Sequence, residues 1–375
     1  MEFTYCKLID VLSNIHSGGT PSTRESSYWG GKIKWLSSGE TSQRFISDTI
    51  DKITDEGVKN SSTKLASKGS IVMACAGQGK TRGQTSYLLD DMYINQSVIA
   101  LETNESVLPL YLFYDLSSRY EELRGGSDAS STRGSITTTS LKNLSFKYPD
   151  LSTQQSIVDI LWGYDSLIEA NNRRIELLEQ AAQELYKEWF VRFRFPGYEN
   201  AKFEDGIPEG WECCRLGKIL SFGAGKTRPK SGETYPVYGG NGILDYCNNY
   251  NSENAIIIGR VGVYCGTVYY EPDKCWISDN ALFAESKNSM HFYNYYLLKN
   301  MNLNARQIGT GQPLITQGLL NKIRILLPSE SLMMKYNQIA SELLKQQDLL
   351  RKMNVNIVAQ RDMLLPRLMS GKLEV

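Results

Sequence analysis

The chain has 375 residues, and its 41 lysines and arginines balance 41 aspartates and glutamates, so the formal net charge is zero. A hydrophobic share of 41% excludes general disorder, the length predicts two or three domains, and no stretch approaches the ~18 apolar residues of a membrane span. The even charge balance excludes one uniformly basic nucleic-acid glove but leaves room for local basic loops.

The opening MEFTYCKLID lacks the basic-then-apolar pattern of a signal peptide, so a cytoplasmic, non-membrane protein is expected. The seven cysteines contain no CxxC pair and are expected to stay reduced. Two histidines, His16 and His291, supply neither a zinc cluster nor Ser-His-Asp chemistry. No metal or cofactor is expected in the chain itself.

From residue 1 to 150 the pattern is β-rich: short apolar runs with aromatics, broken by Gly, Asn and Ser. The run Ile71-Val72-Met73-Ala74 leads into Cys75-Ala76-Gly77-Gln78-Gly79-Lys80-Thr81, which has relaxed P-loop spacing. A true P-loop needs a helix starting at Lys80-Thr81, and Arg82-Gly83-Gln84-Thr85 is a poor helix former. A Gly-rich turn between strands is the expected structure, with Lys80 and Arg82 available to a polyanion. Leu110 to Leu123 is read as a short amphipathic helix.

After Pro149 the spacing Ser152/Gln155 reads as a capping box. Ile157, Leu161, Tyr164, Ile168, Asn171, Ile175, Leu178, Ala182, Leu185 and Trp189 then alternate in steps of four and three. This is a heptad seam with one polar break at Asn171, expected to fix register at some cost in stability. Residues 151–195 are assigned to this first spacer helix. Residues 196–328 repeat the β-rich pattern, with another amphipathic helix expected from Phe292 to Asn300. Residues 329–375 carry a second seam: Tyr336, Leu343, Leu350, Ile357 and Leu364. It is interrupted by Gln347, Asn354 and Arg361 and is expected to be weaker, and Pro366 should kink or end it.

These segments form an internal pseudo-repeat. Ile136-Thr137-Thr138 corresponds to Ile315-Thr316-Gln317, Ile71–Ala74 to Ile256–Gly259, and Tyr93-Ile94-Asn95-Gln96-Ser97 to Trp276-Ile277-Ser278-Asp279-Asn280. The predicted fold is therefore α+β: two mixed, mostly β domains separated by two long coiled-coil helices, taken as antiparallel. Such a rod would hold the domains at a set distance.

The loops carry the candidate contact residues. In the first domain these are Thr20, Ser22, Ser37, Gln78, Lys80, Thr81, Arg82, Arg133 and Ser135. In the second they are Lys226, Thr227, Arg228, Asn241, Arg260, Tyr264, Thr310 and Gln312. Gly in these loops permits close backbone approach, Arg, Lys, Gln and Asn bond base edges, and Ser and Thr reach phosphates. Two loop-rich modules on a rod suit two separated stretches of duplex DNA. Asp90-Asp91 and Glu121-Glu122 read as solvated surface pairs.

An ordered set of motifs resembles one family. It comprises Gly18-Gly19-Thr20-Pro21-Ser22 with Tyr28-Trp29-Gly30 and Trp35-Leu36-Ser37. The junction follows, Leu185-Tyr186-Lys187-Glu188-Trp189-Phe190, Phe195-Pro196-Gly197 and Pro208-Glu209-Gly210-Trp211-Glu212. Val237-Tyr238-Gly239-Gly240-Asn241-Gly242-Ile243 and the closing Leu368-Met369-Ser370-Gly371-Lys372-Leu373 complete it. Over essentially its whole length the chain resembles the DNA-specificity subunit of type I restriction–modification systems.

The resemblance implies two target-recognition domains, 1–150 and 196–328, reading an asymmetric bipartite site in double-stranded DNA. It implies spacer helices, carrying the seam residues Ile157, Leu161, Ile168, Asn171, Ile175, Leu178, Leu185, Trp189, Leu343, Leu350, Ile357 and Leu364, that set the gap and dock two methyltransferase subunits. S-adenosylmethionine would reside on those partners, and ATP and Mg²⁺ on motor-nuclease subunits; this chain would be non-catalytic. The alternatives are the recognition half of a related enzyme with a fused nuclease–methyltransferase partner, a P-loop ATPase, and a structural coiled-coil adaptor. The adaptor leaves the duplicated loop-rich modules unexplained.

Overall fold

The computed structural model describes residues 2–77, 80–128, 134–307 and 313–375. Gln78, Arg133, Thr310 and Gln312 lie outside the described residues. The first half of the chain contains β1 (Thr4–Lys7), β2 (Leu12–Ser17), β3 (Trp29–Leu36), β4 (Phe45–Ile46), β5 (Asp51–Ile53), α1 (Asp55–Lys59), β6 (Lys64–Ala66), β7 (Ile71–Ala74), β8 (Thr85–Leu88), β9 (Met92–Ile94) and β10 (Val98–Thr103). Then come α2 (Pro109–Ser118), α3 (Tyr120–Asp128), α4 (Thr138–Lys142), β11 (Ser145–Tyr148) and α5 (Leu151–Phe190). The second half contains β12 (Phe203–Glu204), β13 (Ile207–Pro208), β14 (Glu212–Arg215), β15 (Leu220–Ala224), β16 (Tyr235–Gly239), β17 (Gly242–Cys247), β18 (Ser252–Gly259), β19 (Val268–Ile277) and β20 (Ala281–Ser286). It closes with α6 (His291–Asn300), α7 (Gln317–Lys322), β21 (Arg324–Leu327) and α8 (Glu330–Ser370).

The fold is α+β, and the chain forms two compact units: Met1–Ile168 with Asn356–Val375, and Glu169–Val355. In the first unit the sheets run β2-β10-β7-β8-β4 and β5-β3-β9-β6, and β1 pairs β11 where the domain's chain enters and leaves. In the second, one sheet runs β15-β20-β18-β19-β16-β17, and β14 pairs β21 in the same closing role. The duplication extends to an unusual detail. β3 and β9 pair in parallel, with Trp35 opposite Tyr93 and Leu36 opposite Ile94. β16 and β19 do the same, with Val237 opposite Trp276 and Tyr238 opposite Ile277.

Asp150, rather than Ser152, starts α5. Its carboxylate accepts from the Ser152 and Thr153 backbone N–H groups (2.9 and 3.1 Å) and from both hydroxyls. These bonds hold its carboxyl far below the usual carboxylate range. Gln155 instead bonds Asp159, one turn on.

Within each unit the segments of α5 and α8 pack antiparallel. In the first unit Ile157, Val158 and Leu161 share a buried cluster with Leu365, Leu368 and Met369. In the second, the aromatic junction closes on α8: the Phe190 ring lies 5.0 Å from Tyr293 and 5.3 Å from Tyr336. The Tyr336 hydroxyl donates to the Ala182 carbonyl at 2.8 Å.

The polar positions of the α8 seam meet polar partners. Arg361 pairs with Asp165 in the first unit. In the second, Asn354 accepts from Asn171 (2.8 Å) and donates to Asn172 (2.9 Å), while Gln347 donates to Glu179 (3.3 Å). Arg361, Asn354 and Gln347 are all buried. Pairing offsets the desolvation cost of burying these groups, and it rejects slipped registers. Pro366 does not end α8; the helix continues to Ser370 and stops before Gly371, which has φ +78°.

The other two helix expectations also change. Leu110 to Leu123 is two helices, broken at Arg119, whose side chain bonds the Ser145 carbonyl, Asp115 and Glu122. α6 is buried at every position from Tyr293 to Leu298, so it is a core helix and not an amphipathic one. All seven cysteines are unpaired. Among the described residues no helix is long and apolar enough to cross a membrane.

Candidate nucleic-acid interface

In the first unit the parallel β3/β9 pair ends where four loops converge. Gly18 and Gly19 donate to the Asn95 and Ile94 carbonyls at 3.2 and 3.1 Å. A Cβ on Gly18 would lie 1.8 Å from the Ile94 oxygen, so only glycine permits this approach. Trp35 Nε1 donates to the Gly19 carbonyl (3.2 Å), and Cys75 N–H donates to Ser97 (2.9 Å). Ile136 N–H then donates to the Cys75 carbonyl (2.9 Å), which brings Ser135 alongside.

The second unit repeats this arrangement. Gly225 and Lys226 donate to the Ala281 and Ile277 carbonyls at 3.1 and 3.0 Å. A Cβ on Gly225 would lie 2.0 Å from the Ser278 oxygen. Arg260 N–H donates to Asn280 (3.0 Å), and Ile315 N–H donates to the Arg260 carbonyl (3.0 Å). A Cβ on Gly259 would lie 2.6 Å from the Gly240 oxygen, which brings the Asn241 turn to the same end.

In each unit several of the candidate loops therefore meet at one end of the parallel strand pair. Thr20, Ser22, Lys80 and Ser135 are exposed in the first unit, and Lys226, Thr227, Arg228, Asn241 and Tyr264 in the second. Thr81 and Arg260 are half-buried. Two candidates, Arg82 and Ser37, are committed to the protein itself. Arg82 is 4% exposed and donates from Nη1 to the Gly134 carbonyl at 2.8 Å, so it braces its loop and is not available to a polyanion. The Ser37 hydroxyl and N–H both bond the buried Glu40 carboxylate in a helix cap. Arg228 forms an ion pair with Asp245 at 2.7 Å. The Ser231 hydroxyl also bonds Asp245, and these bonds lower its carboxyl pKa to about 2.

The P-loop spacing is not a P-loop. Lys80 to Gln84 forms a turn and β7 returns antiparallel into β8, with Val72 opposite Ser86. No helix begins at Lys80, so no helix N-terminus faces a phosphate there.

Sequence reasoning passed over Gln96 and Asp279. Both segments stood out only as markers of the repeat. The parallel strand pairs put both on the loops, exposed: Gln96 bonds Thr20, and Asp279 lies two residues past the Ile277 carbonyl that Lys226 N–H bonds. The signal that could have found them is the polar residue two positions past each repeated strand.

The sequence profile of the type I restriction modification DNA specificity domain matches residues 2–180 and again 208–354. The chain belongs to this family. The two matches fall one on each β-rich half and run into α5 as far as residue 180 and into α8 as far as residue 354, so the type I specificity family accounts for the duplication as well as the fold. The MjaIX specificity subunit of Methanocaldococcus jannaschii is 26% identical, over 98% of this chain and 93% of that one. The EcoR124I/EcoR124II specificity subunit of Escherichia coli is 31% identical over 52% of this chain and 49% of its own length. The crystal structure of an S subunit from M. genitalium has the same fold, with a TM-score of 0.59 at 17% identity over 98% of this chain and 96% of that one. As a type I specificity subunit, this chain is a recognition component and not an enzyme.

Proposed function

We propose that this specificity subunit reads an asymmetric bipartite DNA target, one half-site per loop face. The domains would be 1–150 and 196–328, with 151–195 and 329–375 as the spacer that sets the gap. The observation that carries this reading is the repeated loop face. The same parallel strand pair and glycine approach recur, while the side chains presented differ. One backbone frame with two side-chain sets is suited to two different half-sites.

The helix pair would dock two methyltransferase subunits and, through them, motor-nuclease subunits. Exposed apolar side chains support this: Leu177, Leu349, Met353 and Val355 in one unit, and Ile160, Trp162, Leu167 and Met363 in the other. S-adenosylmethionine, ATP and Mg²⁺ would be held by those partners. Zero net charge leaves part of the phosphate attraction to them as well.

The test is the adenine methylome of a host carrying the adjacent methyltransferase gene, with and without this chain. A bipartite motif that appears only with the chain is expected; methylation indifferent to the chain would overturn the reading. A second expectation separates Lys80 from Arg82. In the assembled complex Lys80→Ala should lower the slope of log K against log salt by about one, with the motif unchanged. Arg82→Ala should cost about 1–3 kcal/mol of first-unit stability, because the Gly134 carbonyl loses its donor. Urea unfolding and salt titrations check both. An Arg82→Ala protein of unchanged stability but weakened binding would place that guanidinium on DNA instead.

A further inference from the structure

The two loop faces set different side chains at one structural position. β9 leaves its parallel pairing after Ile94, and Gln96 follows two residues on; β19 leaves after Ile277, and Asp279 follows two residues on. The flanks match on both sides. Gly19 and Lys226 donate to Ile94 and Ile277, which makes Thr20 and Thr227 counterparts. Cys75 and Arg260 donate to Ser97 and Asn280, one residue past the position in question. The backbone frame is shared, and the exposed side chain in it is an amide in one unit and a carboxylate in the other.

We propose that Gln96 and Asp279 are base-reading side chains, Gln96 for adenine in one half-site and Asp279 for cytosine in the other. This rests on the recognition function proposed above. An amide offers a donor and an acceptor side by side, matching adenine N7 and N6 in the major groove. A carboxylate offers acceptors only, matching the cytosine N4 amine. Asp279 repels phosphate, so it adds nothing to general DNA affinity; within a DNA complex the partner that its acceptors fit is a base amine. Gln96 is oriented before any DNA arrives: the Thr20 hydroxyl bonds its Oε1. That bond takes one lone pair of Oε1 and leaves the other, with the N–H₂ group, for a base.

The experiment uses the complete complex of this chain with its methyltransferase. Its readouts are the adenine methylome and selection from a duplex pool randomised across both half-sites at fixed salt. Gln96→Ala is expected to relax one adenine position in one half-site, with discrimination falling by about 5- to 150-fold, and to leave the other half-site intact. Asp279→Asn is expected to move one position of the other half-site from cytosine toward adenine. Thr20→Val should relax the same position as Gln96→Ala, by less, because the amide is freed but still present. Parental discrimination in the Gln96 and Asp279 variants overturns the assignment, and so does a uniform loss of affinity for all sequences, which marks a phosphate contact. The pool selection decides the matter even where a variant complex no longer methylates. A parental complex that shows no bipartite motif overturns the recognition reading itself, independently of either variant.

Discussion

Asp165→Ala is expected to destabilise the first unit by about 3–5 kcal/mol. The carboxylate is 2% exposed. One oxygen accepts from Arg361 Nη1; the other accepts from the Tyr114 hydroxyl at 2.9 Å and from Arg44 Nη2 at 3.3 Å. Arg44 is partly exposed and can turn to water, but the Arg361 side chain is 8% exposed and, among the described residues, keeps the surface residue Asp362. Its charge is then buried without its main partner, which costs far more than the pair contributes. Urea unfolding followed by hydrogen exchange over residues 151–168 would show the loss as a midpoint lowered by roughly 1–3 M. The double variant Asp165→Leu with Arg361→Met should recover most of it, because no unpaired charge remains. A single variant within about 1 kcal/mol of the parent would mean that Arg361 is not desolvated as its burial indicates.

Removing residues 166–172 and 354–360 together should shorten the gap in the recognised DNA motif while leaving both half-sites unchanged. The polar pairs dictate which residues must go. This deletion takes out the Asn171/Asn354 level and preserves Asp165 with Arg361 and Glu179 with Gln347, now one heptad apart. Seven helical residues at ~1.5 Å amount to roughly 10 Å, or about three base pairs at ~3.4 Å each. Deleting residues 166–172 alone forces one of the surviving pairs out of register. That variant should lose stability and not yield a new spacing. The methylome of each variant gives the result directly. A paired deletion that methylates the parental motif with its gap unaltered would sink the proposal that these helices measure DNA.

The cysteine and glycine positions illustrate what composition alone conveys. The absence of CxxC spacing anticipated seven unpaired thiols. The Gly18-Gly19 and Gly225 loops pointed to close backbone approach, and the approach occurs onto the carbonyls that end the parallel strands. The partner in that approach was not legible. Gly18 and Ile94 are brought together by strand pairing, and parallel pairing of β3 with β9 leaves no local sequence mark.

What the sequence determined by itself was periodic or punctuated. The heptad steps of α5, the proline before each long helix and the repeated motifs are local patterns that rest on backbone geometry, so they were readable without partners. Tertiary structure alone decided which polar groups are spent inside the protein. Arg82 looked free for a polyanion, but its partner lies 52 positions away in a loop that folding brings to it. Gln347, Asn354 and Arg361 looked like defects in a seam until helices far apart in the chain placed Glu179, Asn171 and Asp165 opposite them; Asp165 and Arg361 are 196 positions apart. Gln96 and Asp279 reached the loop faces the same way. Hydrogen bonds and ion pairs act over a few ångströms of space whatever the separation along the chain, so a polar residue's role is set by its neighbours in space and not by its neighbours in sequence.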